Sequence, residues 1–195
     1  MRRFLATILL AALVSPAAAE SRAETAIFAG GCFWSMEHDM EHIPGVISAV
    51  SGYTGGHLDK PTYQDVVKET TGHYEAVKIT YDPSKISYRQ LVDRYWHTID
   101  PLDSGGAYCD RGESYRSAIF VTPGQRKAAE ASKKAQKPPS SQPIATAIKD
   151  AVTFYPAEDY HQDYAKKNPD HYFKYRKGCG KDARIKALWG ERAFK

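Results

Sequence analysis

The sequence predicts an α+β domain, a two-layer α/β sandwich with helices in a single layer. Stretches that alternate apolar and polar residues, as strands do, are interleaved with stretches whose apolar residues recur at helical spacing. No internal repeat, low-complexity run or break in composition divides the chain after its first twenty residues.

The elements follow in order. "ETAIFA" (Glu24–Ala29) reads as a short strand running into Gly30 and Gly31. From Cys32 to His42, Phe33, Trp34, Met36, Met40 and Ile43 recur near helical spacing, and Pro44-Gly45 ends the run. Val46–Gly56 alternates like a strand and then turns, and a short helical stretch begins at Pro61, a favoured first helical residue. His73–Pro83 is a strand. Ser87–Ile99 is an amphipathic helix with Leu91, Val92, Tyr95 and Trp96 inward. A loop over 100–114 leads to a strand, Tyr115–Thr122, and a helix from Pro123 to about Lys137. Residues 143–157 read as further strand and 158–169 as a helix. The Lys-, Arg- and Gly-rich tail after Pro169 is expected to be irregular, with Cys179 mobile between Gly178 and Gly180.

The first nineteen residues stand apart. Arg2 and Arg3 precede an apolar run, Phe4 to Val14, and Ala17-Ala18-Ala19 supplies a small-residue cleavage pattern. That apolar run is shorter than a membrane-spanning helix needs. Residues 1–19 are therefore expected to be a secretory signal peptide and 20–195 a single folded domain, exported to the periplasm or secreted, without stable membrane association. The chain has 27 Lys and Arg against 23 Asp and Glu; without Arg2 and Arg3 the remainder is almost neutral. No basic, aromatic-interleaved platform is present, so nucleic acid is not an expected partner.

Three cysteines, Cys32, Cys109 and Cys179, cannot all pair within one chain, and an oxidising compartment makes an odd thiol informative. In "AGGCFWSMEH", Gly30 and Gly31 permit a sharp turn and a close ligand approach, and a helix starting at Cys32 would favour its thiolate. An ordinary buried cysteine in a strand–helix turn is the competing reading. Phe33 and Trp34, successive on a helix, cannot face the same way, so one of them is free to line a pocket beside the sulfur. Glu75 stands in an otherwise apolar alternating strand. It is either a desolvated carboxyl that keeps its proton and donates it, or a solvent-facing strand residue. Asp110, Arg111, Glu113, Tyr115 and Arg116 cluster where the loop enters its strand, as functional and merely solvating residues both do.

Together "GGCFWSMEH", "TGHYEAVKITYDP", "DRGESYRSAIF" and "FYPAEDYHQDY" resemble, in order and spacing, the peptide methionine sulfoxide reductases of the A type, over nearly all of the chain after Thr25. The resemblance implies a ferredoxin-like βαβ core and thiol-dependent reduction of the S epimer of methionine sulfoxide, free or in proteins, without metal or bound organic cofactor. It implies Cys32 as nucleophile, and Phe33 and Trp34 as the aromatics holding the substrate methyl group. It implies Glu75 as the carboxyl on the sulfoxide oxygen, helped by Tyr63 and Tyr115, and Asp110 as an organiser of the site. His161 and Gln162 are expected to support the pocket.

A sulfoxide sulfur is a poor electrophile until its oxygen is protonated, which explains an acid beside the thiol. The resulting sulfenic acid condenses with a second thiol. Cys179, in its glycine-flanked tail, is the expected resolver, with Cys109 as the alternative. A thioredoxin-like dithiol is the expected reductant, and a monomer the expected state. Two rivals remain. His38–His42 fits the H-x-x-E-H zinc-peptidase pattern, although the helix's solvent face explains it more simply. A thiol sensor would share Cys32 but not turn over.

Overall fold

The computed structural model describes residues 22–195, so the expected leader, 1–19, lies outside the described residues. β1 (Glu24–Ala29) turns through Gly30 and Gly31 into α1 (Phe33–Glu41), which returns to β2 (Val46–Thr54). α2 (Tyr63–Val66) is a single turn, and its N-cap is Thr62, one residue beyond the expected proline start. Thr62 closes a reciprocal capping box with Asp65. β3 (Tyr74–Tyr81) leads to α3 (Tyr88–Trp96), capped in the same way by Ser87 and Gln90. The loop over 100–114 contains a two-residue ladder, β4 (Gly106–Ala107) with β5 (Asp110–Arg111). A 3-10 turn at Glu113–Tyr115 delays the next strand, β6, to Ala118–Val121. Then follow α4 (Pro123–Ala135), β7 (Ala147–Asp150), β8 (Phe154–Pro156), α5 (Tyr164–Lys167), α6 (Pro169–Gly178) and α7 (Lys181–Trp189).

The main sheet has the order β7-β6-β1-β3-β2-β8. β1 and β2 both pair antiparallel with β3, so they run parallel to each other with β3 between them, joined through α1. This is the split βαβ unit of the expected ferredoxin-like core, completed by β6 antiparallel on the far side of β1.

β7 and β8 occupy opposite edges of the sheet, yet only Ala151, Val152 and Thr153 separate Asp150 from Phe154. A flat six-stranded sheet measures about 24 Å from edge to edge. Four Cα–Cα steps reach at most about 14 Å. The sheet must therefore curl until its edges approach. Small residues make the curl possible: Ala29, Ala76 and Ala118 share the inner cluster with Tyr74 and Phe120. Gly52 is required there, because a Cβ would lie 2.4 Å from both the Phe154 ring and the Tyr155 carbonyl oxygen. The other face, with Phe28, Val77, Ile79 and Val121, joins Met36, Met40, Leu91, Val92 and Trp96 in the main core.

The tail corrects the sequence reading. It is helical, not irregular: Tyr172, Ile185, Leu188 and Trp189 are buried. The many cations concealed this pattern, since two of them are core partners and not solvating groups. Arg176 joins Asp39 at 2.7 Å and Asp182 at 2.8 Å, and the buried Lys181 joins Asp39 at 2.8 Å. Gly180, at φ 70°, breaks α6 from α7. The helix expected over 158–169 shrinks to one turn at its end, because the backbone reverses at Asp163 (φ 54°).

Gly52→Val is expected to lower unfolding stability by about 1–3 kcal/mol through overpacking against Phe154. A urea titration checks this, and an unchanged midpoint would contradict the close approach of β2 and β8.

Candidate active site

α1 starts immediately after the glycine turn, with Cys32 as its N-cap residue. Gly31 adopts φ 91°, and a Cβ there would lie 2.7 Å from that of Ala107. The turn thus brings the thiol against the 100–114 loop. The first helical N–H, that of Phe33, donates to Glu75 Oε2 at 3.0 Å. Glu75 is the second residue of β3, on the face that meets α1, and is buried. Of the two readings of Glu75, the desolvated carboxyl is the one the fold adopts. Burial pushes its pKa up to about 8, despite the Phe33 hydrogen bond, with Asp110 and Glu69 adding to the rise.

The helix start does not produce a thiolate at Cys32, which departs from the sequence expectation. Burial drives the thiol pKa well up, and the carboxyls of Glu75 and Asp110 push it further. The Tyr175 hydroxyl and the Trp34 N–H oppose this more weakly. Burial is the main physical reason; the helix start contributes only the Trp34 N–H to the sulfur, its leading N–H being directed at Glu75.

Three hydroxyls surround this pair. Tyr63, first residue of α2, and Tyr115, at the end of the 3-10 turn, hydrogen-bond one another. Glu75 and Cys32 bear electrostatically on both, and burial raises both phenols. Tyr63 is held by its backbone N–H, which donates to Glu158 Oε1 at 2.8 Å. The third hydroxyl is that of Tyr175 on α6, which donates to Asp110 Oδ2 and lies in hydrogen-bond reach of the Cys32 thiol. Sequence reading passed over Tyr175. Its one signal is position, four residues or one helical turn before Cys179.

The aromatic pair divides as two successive helical residues must. Phe33 is buried and packs on Tyr53 and His161, with ring centroids 5.8 and 4.9 Å apart. Trp34 is half-buried and stacks on Tyr164 at 3.7 Å, nearly parallel. Its Nε1–H donates to His161 Nδ1 at 3.0 Å, and Tyr175 meets it edge-on at 6.1 Å. His161, expected to support the pocket, lies against both Phe33 and Trp34, whereas Gln162 holds backbone. Gln162 ties β2 to the following loop, accepting from Ser51 N and donating to the Ser51 and Ala157 carbonyls.

The two other cysteines are joined. Cys109 and Cys179 form a disulfide with Cα atoms 5.2 Å apart, leaving Cys32 as the free cysteine. Cys179 is therefore not a mobile tail thiol here but the C-cap of α6, while Cys109 is exposed. Together they line an open depression of about 610 Å³. The H-x-x-E-H residues gather at the other end of α1, where donor atoms of His38, Glu41 and His42 lie within 4.8 Å of one another. One oxygen of Glu41 is engaged by Lys166 at 2.7 Å. Some 13 Å of helix separates this cluster from Cys32.

A family model described as peptide methionine sulfoxide reductase matches residues 24–193. Peptide methionine sulfoxide reductase MsrA 2 of Caulobacter vibrioides is 56% identical over 188 residues, 96% of each chain. The MsrA of Bacillus licheniformis is 52% identical, covering 89% of this chain and 97% of that one. Among solved structures, reduced Mxr1 from Saccharomyces cerevisiae superposes with a TM-score of 0.71 at 31% identity, over 75% of this chain and 86% of its own.

The Glu75 carboxyl makes a signed prediction. The folded chain retains this proton at pH values where the unfolded chain has released it. The resulting stabilisation is complete below the unfolded carboxyl pKa and is lost as pH rises towards 8. Glu75→Gln cannot ionise. Its stability relative to wild type is expected to improve by on the order of a few kcal/mol between pH 5 and pH 8. Parallel pH profiles from denaturant unfolding would show instead that Glu75 is ordinarily ionised.

Proposed function

The chain belongs to the peptide methionine sulfoxide reductase family and reduces the S epimer of methionine sulfoxide by thiol chemistry, and we propose that Cys32 is its nucleophile and Glu75 its acid. The observation that carries the assignment is the buried Glu75 anchored through Oε2 to the N–H beside Cys32, where burial raises its pKa to about 8. That bond leaves the carboxyl's other oxygen to serve the sulfoxide. As the Cys32 sulfur attacks the sulfoxide sulfur, the oxygen receives the Glu75 proton, with Tyr63 and Tyr115 as further donors. Trp34, braced by Tyr164 and His161, packs on the methyl group, with Phe33 behind it. Methionine leaves, reduced by two electrons, and Cys32 becomes a sulfenic acid.

Resolution proceeds in two exchanges. Cys179 attacks the Cys32 sulfenic acid and releases water. Cys109 then attacks the Cys32–Cys179 disulfide, restoring the Cys32 thiol and forming the Cys109–Cys179 bond. The two candidate resolvers thus act in series. The terminal disulfide is the exposed one, lining an open depression where a dithiol can reach it. A thioredoxin-like protein is the proposed reductant; the yeast relative Mxr1 forms a complex with Trx2. The charged and apolar character of residues 1–19 supports export to the periplasm, where repair of oxidised envelope proteins is the proposed role.

Stoichiometry tests the series. Fully reduced enzyme, freed of reductant, is expected to release two methionines per chain from the S epimer, since the first turnover regenerates Cys32. Cys109→Ser should release one, stopping at a Cys32–Cys179 disulfide, and Cys32→Ser none. One methionine from wild type would mean that Cys109 takes no part. Failure to turn over repeatedly with excess dithiothreitol would favour the thiol-sensor reading. For export, N-terminal sequencing of the periplasmic protein is expected to begin near Glu20, and a chain confined to the cytoplasm would refute it.

A further inference from the structure

The nucleophile has a proton to lose and no ordinary base to take it. Cys32 is flanked by the carboxyls of Glu75, raised by burial to about 8, and Asp110, and of the helix's first N–H groups Phe33's is given to Glu75, leaving that of Trp34 for the sulfur. Among the described residues, Tyr175 is the hydroxyl that meets both the thiol and a carboxylate: it donates to Asp110 Oδ2 while lying in reach of the Cys32 sulfur. A hydroxyl that already donates its one proton to Asp110 can only accept from the thiol. With that proton directed to Asp110, a path is open from Cys32 Sγ–H through Tyr175 Oη–H to Asp110, and once the thiol has ionised the same hydroxyl is placed to stabilise the sulfur anion.

We propose that Tyr175 is a catalytic residue that relays the Cys32 proton to Asp110 as the thiol attacks the sulfoxide. This rests on the sulfoxide reductase reading above and supplies a step that reading lacks. The Cys32 proton passes to Tyr175 Oη as the Tyr175 proton passes to Asp110 Oδ2. Tyr175 stays neutral, and one negative charge moves from Asp110 to Cys32. The thiolate attacks the sulfoxide sulfur, and Glu75 gives its proton to the oxygen that becomes the sulfenic hydroxyl. Cysteine is oxidised by two electrons and methionine sulfoxide is reduced by two. The step ends with Asp110 protonated and Glu75 ionised, and one proton returned through water from the first to the second resets the site.

The surroundings suit the relay. Burial raises Asp110, which makes it a better base than an exposed aspartate, and Lys181 holds it from rising further. The buried Lys181 ammonium also interacts electrostatically with Cys32, so the charge stays within reach of one cation as it moves. Lys181 is itself fixed by Asp39 on α1, the helix that carries the nucleophile. The Tyr175 ring rests edge-on against Trp34, so Tyr175→Phe removes the hydroxyl while leaving the ring to hold its place.

The test is single-turnover methionine release from the S epimer, by rapid quench, with fully reduced wild type, Tyr175→Phe, Asp110→Asn and the double variant. Each single variant is expected to slow the step about 100-fold at pH 7, the usual scale for losing a proton-transfer partner. The double variant should be no slower than the slower single, because the two act as one chain. The Asp110→Asn result separates relay from electrostatics. Removing a carboxylate beside the sulfur eases ionisation, so a purely electrostatic role predicts an equal or faster step. A relay predicts a slower step whose deficit shrinks as rising pH lets hydroxide take the proton. Should Tyr175→Phe fold poorly by thermal melting, Asp110→Asn and its pH profile carry the test. Wild-type rates in both single variants would overturn the relay and leave the reductase reading intact. No methionine from wild type would overturn that reading and the relay with it.

Discussion

The hydrogen bond from the Phe33 N–H to buried Glu75 is the contact on which the site depends. It joins the middle strand of the split βαβ unit to the first turn of the helix that follows Gly30 and Gly31. A helix start buried against a sheet leaves N–H groups without partners, and a carboxyl from the facing strand satisfies the first of them. Because that carboxyl is desolvated and has further carboxyls nearby, it accepts the bond while keeping its proton. One contact thus fixes where α1 begins, where Cys32 sits and where an acid stands at neutral pH. It also has a consequence for the thiol. The first helix N–H is used to hold the acid, so only the Trp34 N–H is left to oppose the burial that keeps Cys32 a thiol.

Around this contact, polar anchors hold an aromatic shell in place. Glu37, on α1 and buried, accepts from Ser51 Oγ at 2.6 Å and from the Asp163 N–H at 3.0 Å, at the strained residue that precedes α5. That fixes Tyr164, the ring stacked on Trp34. Glu158 accepts from the Tyr53 hydroxyl and the Tyr63 N–H, which sets Phe33's neighbour and the pocket tyrosine together. The rings around Trp34 and Tyr63 are therefore positioned by the carboxyls of buried Glu37 and half-buried Glu158 acting on backbone and side chain. The curled sheet has its own part in this. By bringing β8 beside β2, it places the segment after β8, with Glu158, His161 and Gln162, next to the start of α1.

The central strands, α1, α3 and α4 were legible because each expresses one periodicity over enough residues to decide it. Cys32, Glu75, Tyr63, Tyr115 and Asp110 could be nominated because they sit in contiguous motifs, and the fold brings them together. What escaped was of another kind. The edge strands β7 and β8 read as a single stretch, since nothing local shows that three residues bridge the two edges of a sheet. The tail read as irregular because Arg176 and Lys181 are buried as ion partners of Asp39, an arrangement visible only once α1 and α6 are side by side. Tyr175 escaped for the same reason: its significance comes from Asp110, 65 positions away. The thiolate expected at Cys32 failed because burial and the Glu75 and Asp110 carboxyls, none of them visible locally in the sequence, outweigh the helix start.

The tail also explains how a bond that helps hold the fold can be one that the reaction cycle breaks. The Cys109–Cys179 disulfide spans a sequence separation of 70. Closing a loop of that length constrains the unfolded chain by roughly 4 kcal/mol in the chain-entropy model. If the C-terminal helices relied on it, each reduction would loosen them. They are anchored independently. Ile185, Leu188 and Trp189 are buried, and Trp189 Nε1 donates to the Ile99 carbonyl at 3.1 Å. On the other side, Tyr172 is buried and Arg176 grips Asp39. Between these anchors lie Gly178, Cys179 and Gly180, and a Cβ on either glycine would meet nothing within 4 Å. Those glycines are present for backbone freedom and not for packing. Reduction releases a three-residue segment, with the rest of the tail still fastened, and the displacement available to Cys179 is limited by the two anchors. In the proposed cycle, a Cys179 thiol restrained in this way searches a small volume, which favours exchange within its own chain over encounters with thiols from other molecules.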